Sequence, residues 1–299
     1  MNQIVRVSEL FLFAFCAVGC ASSQVGSNAV ETAVETSVEQ TPKAYPSGGT
    51  VVSASEVTWE QLNPARGDQS PKAATLWGDR QGGVATGFLF NAVDGFRSPA
   101  HIHNVSYRGV VIRGQVHNDD PNAEDMWMPA GSFWTQPKGA VHITAAKGTD
   151  VLAYIEIDEG PYLVRPVDQA FATDEAPINV DESNIVWVKP SGAEGTANGL
   201  RVSYLWGNPQ ADEPSGRLVR LAAGAACTFQ SRGSLRAVVI QGQPRHGASK
   251  TDVASEHVPL ELGSYFSSEA PTTHELTCGA TEGCTFYVRS EGSFEVSGS

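Results

Sequence analysis

Tyr107-Arg108-Gly109-Val110-Val111-Ile112-Arg113-Gly114-Gln115 and Leu235-Arg236-Ala237-Val238-Val239-Ile240-Gln241-Gly242-Gln243 align without a gap, 128 positions apart. Upstream, Leu76-Trp77-Gly78-Asp79 is answered by Leu205-Trp206-Gly207-Asn208. Downstream, Gly131-Ser132-Phe133-Trp134 is answered by Gly263-Ser264-Tyr265-Phe266, and His142 by His274. Tyr154-Ile155-Glu156 and Tyr287-Val288-Arg289 then lead into Glu159-Gly160 and Glu291-Gly292. The order of features is kept throughout, so the chain is a tandem duplication of a module of somewhat over about a hundred residues. Each copy reads as short Val, Ile, Tyr and Thr-rich runs separated by Gly, Pro, Asn and Asp clusters, the pattern of an all-β sandwich or barrel. Stretches with an apolar stripe at helical period are hard to find. Acidic connections at 168–182 and 208–215 fit an interdomain linker and a long surface loop. Edge strands in double-sheet folds are often paired between modules, so the two copies are expected to pack together.

Composition narrows the function classes. With 41% hydrophobic and 18% charged residues in 299, the sequence is that of a soluble globule with a real core. Its 33 acidic and 20 basic residues give a formal charge of -13, which repels phosphate backbones, and no Lys/Arg cluster relieves it. Nucleic acid is not an expected partner. No G-x-S-x-G elbow, P-loop or dinucleotide glycine motif supports a hydrolase triad, nucleotide or Rossmann reading.

The first twenty residues have Arg6 near the start, an apolar run over 10–18 and small residues before Cys20. The run is too short for a permanent membrane span and reads as a secretory signal peptide. Ala17-Val18-Gly19-Cys20 resembles the lipobox of bacterial lipoproteins, with Ala17 where Leu is usual. That resemblance implies lipidation at Cys20 and, with Ala21 following, the outer membrane of a Gram-negative cell, facing the periplasm. The boundaries expected are a signal peptide at 1–20, a flexible linker at 21–50, and barrels at 51–168 and 180–299. Removing Cys16 with the leader and giving Cys20 to lipid leaves Cys227, Cys278 and Cys284. Cys278 and Cys284 bracket a short glycine-containing stretch between β-rich runs, so they either close a hairpin with a disulfide or remain buried thiols.

The chemistry lies in the first copy. Gly95 is followed after five residues by His101-Ile102-His103, after three more by Tyr107, and after six more by Gly114. Gly131 is followed by Pro137-Lys138-Gly139 and, two residues on, by His142. Residues i and i+2 of a strand point the same way with Cα atoms about 6.5–7 Å apart, so His101 and His103 share a face and can share an ion. A third imidazole must come from another strand, and the Pro137-x-Gly139 turn is placed to present His142. Three imidazoles with an open position suit zinc, iron, manganese, nickel or copper. Tyr107 is either a fourth ligand or a pocket-wall residue whose hydroxyl orients bound water. Arg113 shares strand parity with Tyr107 and is expected inside the pocket, holding a carboxylate, or on its rim. His117 is expected at the rim. Trp134, with Trp77, Trp127 and Phe133, belongs to the barrel core or lines the pocket mouth. The stretch 118–125 reads as a solvated acidic loop.

This spacing resembles the two signature motifs of the cupin superfamily, small double-stranded β-helix (jelly-roll) barrels. Tyr107 stands where the family usually has a Glu ligand, and Ala146 where Asn often closes the second motif. As a whole the chain resembles an uncharacterised bacterial bicupin family related to the zinc-binding cupin of certain anti-sigma factors. The resemblance implies two consecutive cupin barrels and one divalent transition metal, zinc first, in the first of them. It supplies no reaction, because cupins include enzymes, sensors and storage proteins. The leading expectation is a site that binds or transforms a small molecule. The rival expectations are a periplasmic ligand-binding or sensor module and an envelope scaffold with a structural metal, and a homodimer is compatible with each. In the second copy the His-x-His positions fall on Phe229-Gln230-Ser231, so His274 is expected to be a core histidine and that barrel to bind no metal.

Overall fold

Period-two burial along Val, Ile, Phe and Tyr-rich runs produces strands almost everywhere, and the computed structural model contains strands and short 3₁₀ turns with no longer helix among its described residues. Those residues are 43–44, 49–190, 199–209, 211–248, 257–269 and 271–298. The leader, Cys20 and nearly all of the expected linker lie outside them.

Two leading strands, β1 (Lys43–Ala44) and β2 (Gly49–Val52), precede the first module. That module comprises β3 (Glu60–Gln61), β4 (Lys72–Trp77), β5 (Thr86–Ala92), β6 (Ile102–His103), β7 (Tyr107–Asp119), β8 (Phe133–Gln136), β9 (Ile143–Ile157) and β10 (Val164–Arg165). After β11 (Ile178–Val180), the second contains β12 (Arg201–Trp206), β13 (Ser215–Leu221), β14 (Ala226–Ser231), β15 (Leu235–Gln241), β16 (Arg245–Ala248), β17 (Val258–Pro259), β18 (Tyr265–Ser268), β19 (Thr272–Thr277), β20 (Cys284–Ser290) and β21 (Phe294–Gly298).

The duplication is visible in the strand order. The first module's large sheet runs β11-β8-β7-β9-β5-β4-β3 and the second's runs β1-β2-β18-β15-β20-β13-β12. Equivalent strands therefore occupy equivalent places, and the pairing Gly109↔Trp134 is matched by Ala237↔Phe266. Each large sheet also gains a flanking strand from outside the repeated core. β2 precedes the first module yet pairs with β18 of the second, whereas β11 follows the first module and pairs with its β8. Both outer edges are thereby covered.

Each barrel has its own apolar interior. Phe88, Val111, Trp134, Ile155 and Tyr107 fill the first, and Phe229, Phe266, Phe286 and Val239 the second. A third cluster, with Leu89, Val110, Ile112, Leu218, Val238 and Ile240, joins the large sheets of the two modules. Each such side chain contributes roughly 1.5–3 kcal/mol when fully buried. At the heart of that seam the Glu156 carboxylate accepts the hydroxyls of Tyr154 (3.1 Å) and Tyr287 (2.7 Å). Those hydroxyls in turn accept the indole N–H groups of Trp77 and Trp206. Arg289 lies 3.4 Å from Glu156 and 2.7 Å from Asp158, so the buried carboxylate is paired as well as hydrogen-bonded. The seam is pseudo-symmetric down to its cations: Arg108 sits over the Trp206 ring and Arg236 over the Trp77 ring.

Cys278 and Cys284 are joined by a disulfide with Cα atoms 5.7 Å apart, which ties the strand ends of β19 and β20. Cys227 is a free, buried thiol.

Candidate metal centre

The three motif histidines are brought to one point by local backbone features. His101 faces His142 across an isolated antiparallel bridge, and the two residues exchange backbone N–H and C=O at 3.0 Å in both directions. His103, two residues along on the same face, lies on β6, which β10 covers through the pairing Val164↔His103. Gly139 turns the chain into His142 with φ of 74°, a left-handed conformation that glycine adopts without strain. Gly109 has no room for a Cβ beneath Trp134, which lets the indole lie against the strand.

One ring nitrogen of each histidine lies within 4.8 Å of the others. The Nε2 atoms of His101 and His103 are 3.2 Å apart. All three Nδ1 atoms face backbone carbonyls: Pro99 at 2.8 Å for His101, Leu163 at 3.1 Å for His103 and Ala140 at 3.2 Å for His142. A carbonyl only accepts, so each Nδ1 carries the proton and each neutral ring is left with an Nε2 lone pair. Burial pushes His142 down to about 3 and lowers His101. Burial, reinforced by the two neighbouring imidazoles, holds His103 well below the usual range. Lone pairs aimed at one another repel unless a cation lies between them. Two imidazoles on one tetrahedral ion with bonds of about 2.0–2.1 Å stand about 3.4 Å apart, so this donor set fits a divalent metal. It is the one group of three His, Cys, Asp or Glu residues with that convergence among the described residues.

Two tyrosines flank the centre. Tyr107, 2% exposed, donates its hydroxyl to Asn118 Oδ1 at 2.8 Å and lies 3.4 Å from His142 Nε2. Burial holds its phenol above the ordinary value. Asn118 also accepts from Thr144 and donates to Gln136, which donates to the Ala140 carbonyl that anchors His142. One hydrogen-bonded chain thus connects Tyr107 with the orientation of a candidate ligand. Tyr162 stacks on His103 with centroids 4.3 Å apart and an interplanar angle of 17°, its hydroxyl 3.2 Å from His103 Nε2. Neither Asn118, at the start of the stretch read as a solvated loop, nor Tyr162 carries a spacing signal in one sequence. Both reach the centre only through the fold.

His101, His103, Tyr107 and Trp134 line a cavity of about 1010 Å³ in the first barrel. Arg113 does not. A register shift between Val111 and Arg113 breaks the alternation of β7, and the Arg113 guanidinium instead bonds the carboxylate and carbonyl of Asp150 on the hairpin. The pocket placement of Arg113 is therefore corrected to a half-exposed position outside the cavity. His117, expected at the rim, is fully buried, with Nδ1 accepting the Met126 N–H.

The second barrel explains its own divergence. Phe229 pairs with His274 where His101 bridges His142, and its ring packs within 5.4 Å of Phe286 and Phe294. An aromatic cluster fills the space that histidines hold in the first copy. His274 is buried but not solitary: its Nδ1 is 2.9 Å from His246 Nε2, and its Nε2 is 3.1 Å from Ser268 Oγ.

A family profile described as Domain of unknown function (DUF4437) matches residues 50–297. No curated protein matches the sequence. Among solved structures, a candidate dioxygenase of Nostoc punctiforme PCC 73102 is similar with a TM-score of 0.60 at 13% identity, over 82% of this chain and 83% of that one. The oxalate decarboxylase of Lactobacillus farciminis, solved with formate, has a TM-score of 0.55 at 11% identity, over 82% and 87%. Vicilin of hazelnut, Corylus avellana, has a TM-score of 0.55 at 10% identity over the same shares. At such identities the likeness shows the cupin fold alone.

Proposed function

We propose a function for this chain from the premise that it belongs to the DUF4437 family and carries the cupin fold twice: it binds or transforms a small molecule at a single metal held by His101, His103 and His142. The observation that carries the reading is the convergence of the three rings, each fixed by Nδ1–H on a backbone carbonyl, at a cavity large enough for a ligand. A divalent ion there supplies Lewis acidity, polarising a ligand oxygen or bound water. The protein's share is positional. Three carbonyls lock the imidazoles, the Asn118–Gln136 chain sets the Tyr107 hydroxyl, and Tyr162 walls His103 from one side. Phe88, Trp134 and Ile155 give the cavity apolar walls that strengthen polar contacts within it.

Elemental analysis of the purified chain tests this. One transition metal per chain in the parent and none in His101→Ala with His103→Ala supports the reading, and equal metal in both proteins contradicts it.

We also place the protein in the cell envelope, exported and lipid-anchored at Cys20, on the strength of the leader and Ala17-Val18-Gly19-Cys20. Cys20→Ser should release the protein from membranes. Membrane recovery equal to the parent would contradict the anchor.

A further inference from the structure

The chain as a whole carries a charge of -13, yet the first-barrel cavity is lined by three arginines, Arg66, Arg80 and Arg165, and by one carboxylate, Glu60, with no Asp or Lys. Such a local reversal of sign selects for an anion. Of the three, Arg80 is the built position. Its side chain is 12% exposed, its Nε donates to Thr75 Oγ1 at 3.1 Å, and its guanidinium sits 5.6 Å over the Phe88 ring. Phe88 lies 5.3 Å from Tyr162, which stacks on His103. A guanidinium therefore stands two aromatic rings away from the candidate metal centre, with apolar surface between them.

The ion partner of Arg80 is informative. Glu60 Oε2 meets it from β3, a two-residue strand whose side chains are exposed, Glu60 at 60%. An ion pair with one partner this exposed is weak, and a ligand could displace the Glu60 carboxylate at little cost. It also places on one arm of Arg80, Nη2, the chemical group that a guanidinium binds best.

Resting on the reading of this cavity as a small-molecule site, we propose that its ligand is a monocarboxylate with a flat apolar body. Its carboxylate replaces Glu60 on Arg80, and its body lies along Phe88 and Tyr162 toward the three histidines. Arg66, which sits over Phe96, and the exposed Arg165 supply attraction at the mouth.

The test uses the full chain loaded with zinc, 3-phenylpropionate as probe, and its uncharged amide as control, with metal content measured on every sample. The acid should bind at least about tenfold more tightly than the amide, the scale of a charge-assisted hydrogen bond. Arg80→Gln should bring the two together. Glu60→Gln, on the exposed strand and harmless to folding, should strengthen acid binding several-fold and leave the amide unchanged. Equal binding of acid and amide by the parent, a preference that survives in folded Arg80→Gln protein, or a Glu60→Gln variant without gain each overturns the proposal. Stoichiometric zinc without acid preference sinks this inference and spares the metal reading. An Arg80-dependent preference in protein that takes up no zinc does the reverse.

Discussion

Tyr107 stands where the cupin pattern usually places a carboxylate ligand, and its hydroxyl is committed to Asn118 Oδ1 while remaining 3.4 Å from His142 Nε2. Tyr107→Phe should therefore leave metal content near that of the parent and weaken ligand binding by about 10 to 100-fold, as changes in groups that orient metal ligands do. Parallel metal analysis and ligand titration check this, and loss of the metal would make the phenol oxygen a ligand instead. At this scale the sequence made the three histidines legible, because strand parity and a Pro-x-Gly turn dictate their direction. Arg113 shows the limit of the same logic: one bulge reverses the parity on which its pocket placement depended. Asn118, Gln136 and Tyr162 were invisible because their proximity to the centre comes from strand pairing across long sequence separations.

At the scale of the element, one motif position has been used in two ways. β14 carries Phe229 opposite His274, and the ring is fully buried among Phe266, Phe286 and Phe294. Phe229→Ala should cost about 3–5 kcal/mol through lost burial and the cavity left behind. Urea denaturation measures the loss, and a cost below about 1 kcal/mol would mean that the cluster is not the second barrel's core. The duplicated strands were readable from the 128-residue repeat. The edge places of β2 on β18 and of β11 on β8 were not, since short strands of ordinary composition do not announce which sheet they join. The pairing of β2 with β18 also means that a second half cut from the chain would lose β1 and β2 from its large sheet, so tests of metal asymmetry belong on the full chain.

At the scale of the molecule, the two barrels share a packed seam and each buries histidines. Burial lowers His246, with further repulsion from His274 and His257, to about 3, and lowers His274 to about 4, from an ordinary 6.5. Between about pH 6.5 and 4 the unfolded chain binds protons on these imidazoles while the folded core does not, so stability is full above that window and falls as the pH drops through it. Urea midpoints should be lower at pH 5.0 than at pH 7.5, and an unchanged or higher midpoint at pH 5.0 would contradict the buried neutral pair. Metal release should follow the same direction, because ligand imidazoles must be unprotonated.

The most direct test of the proposed metal centre is X-ray absorption at the edge of whatever transition metal the full-length protein takes up. The geometry of His101, His103 and His142 predicts a first shell containing three imidazole nitrogens at about 2.0–2.2 Å, completed by oxygen and without sulfur. A shell with sulfur, or with fewer than three imidazoles, would contradict the account.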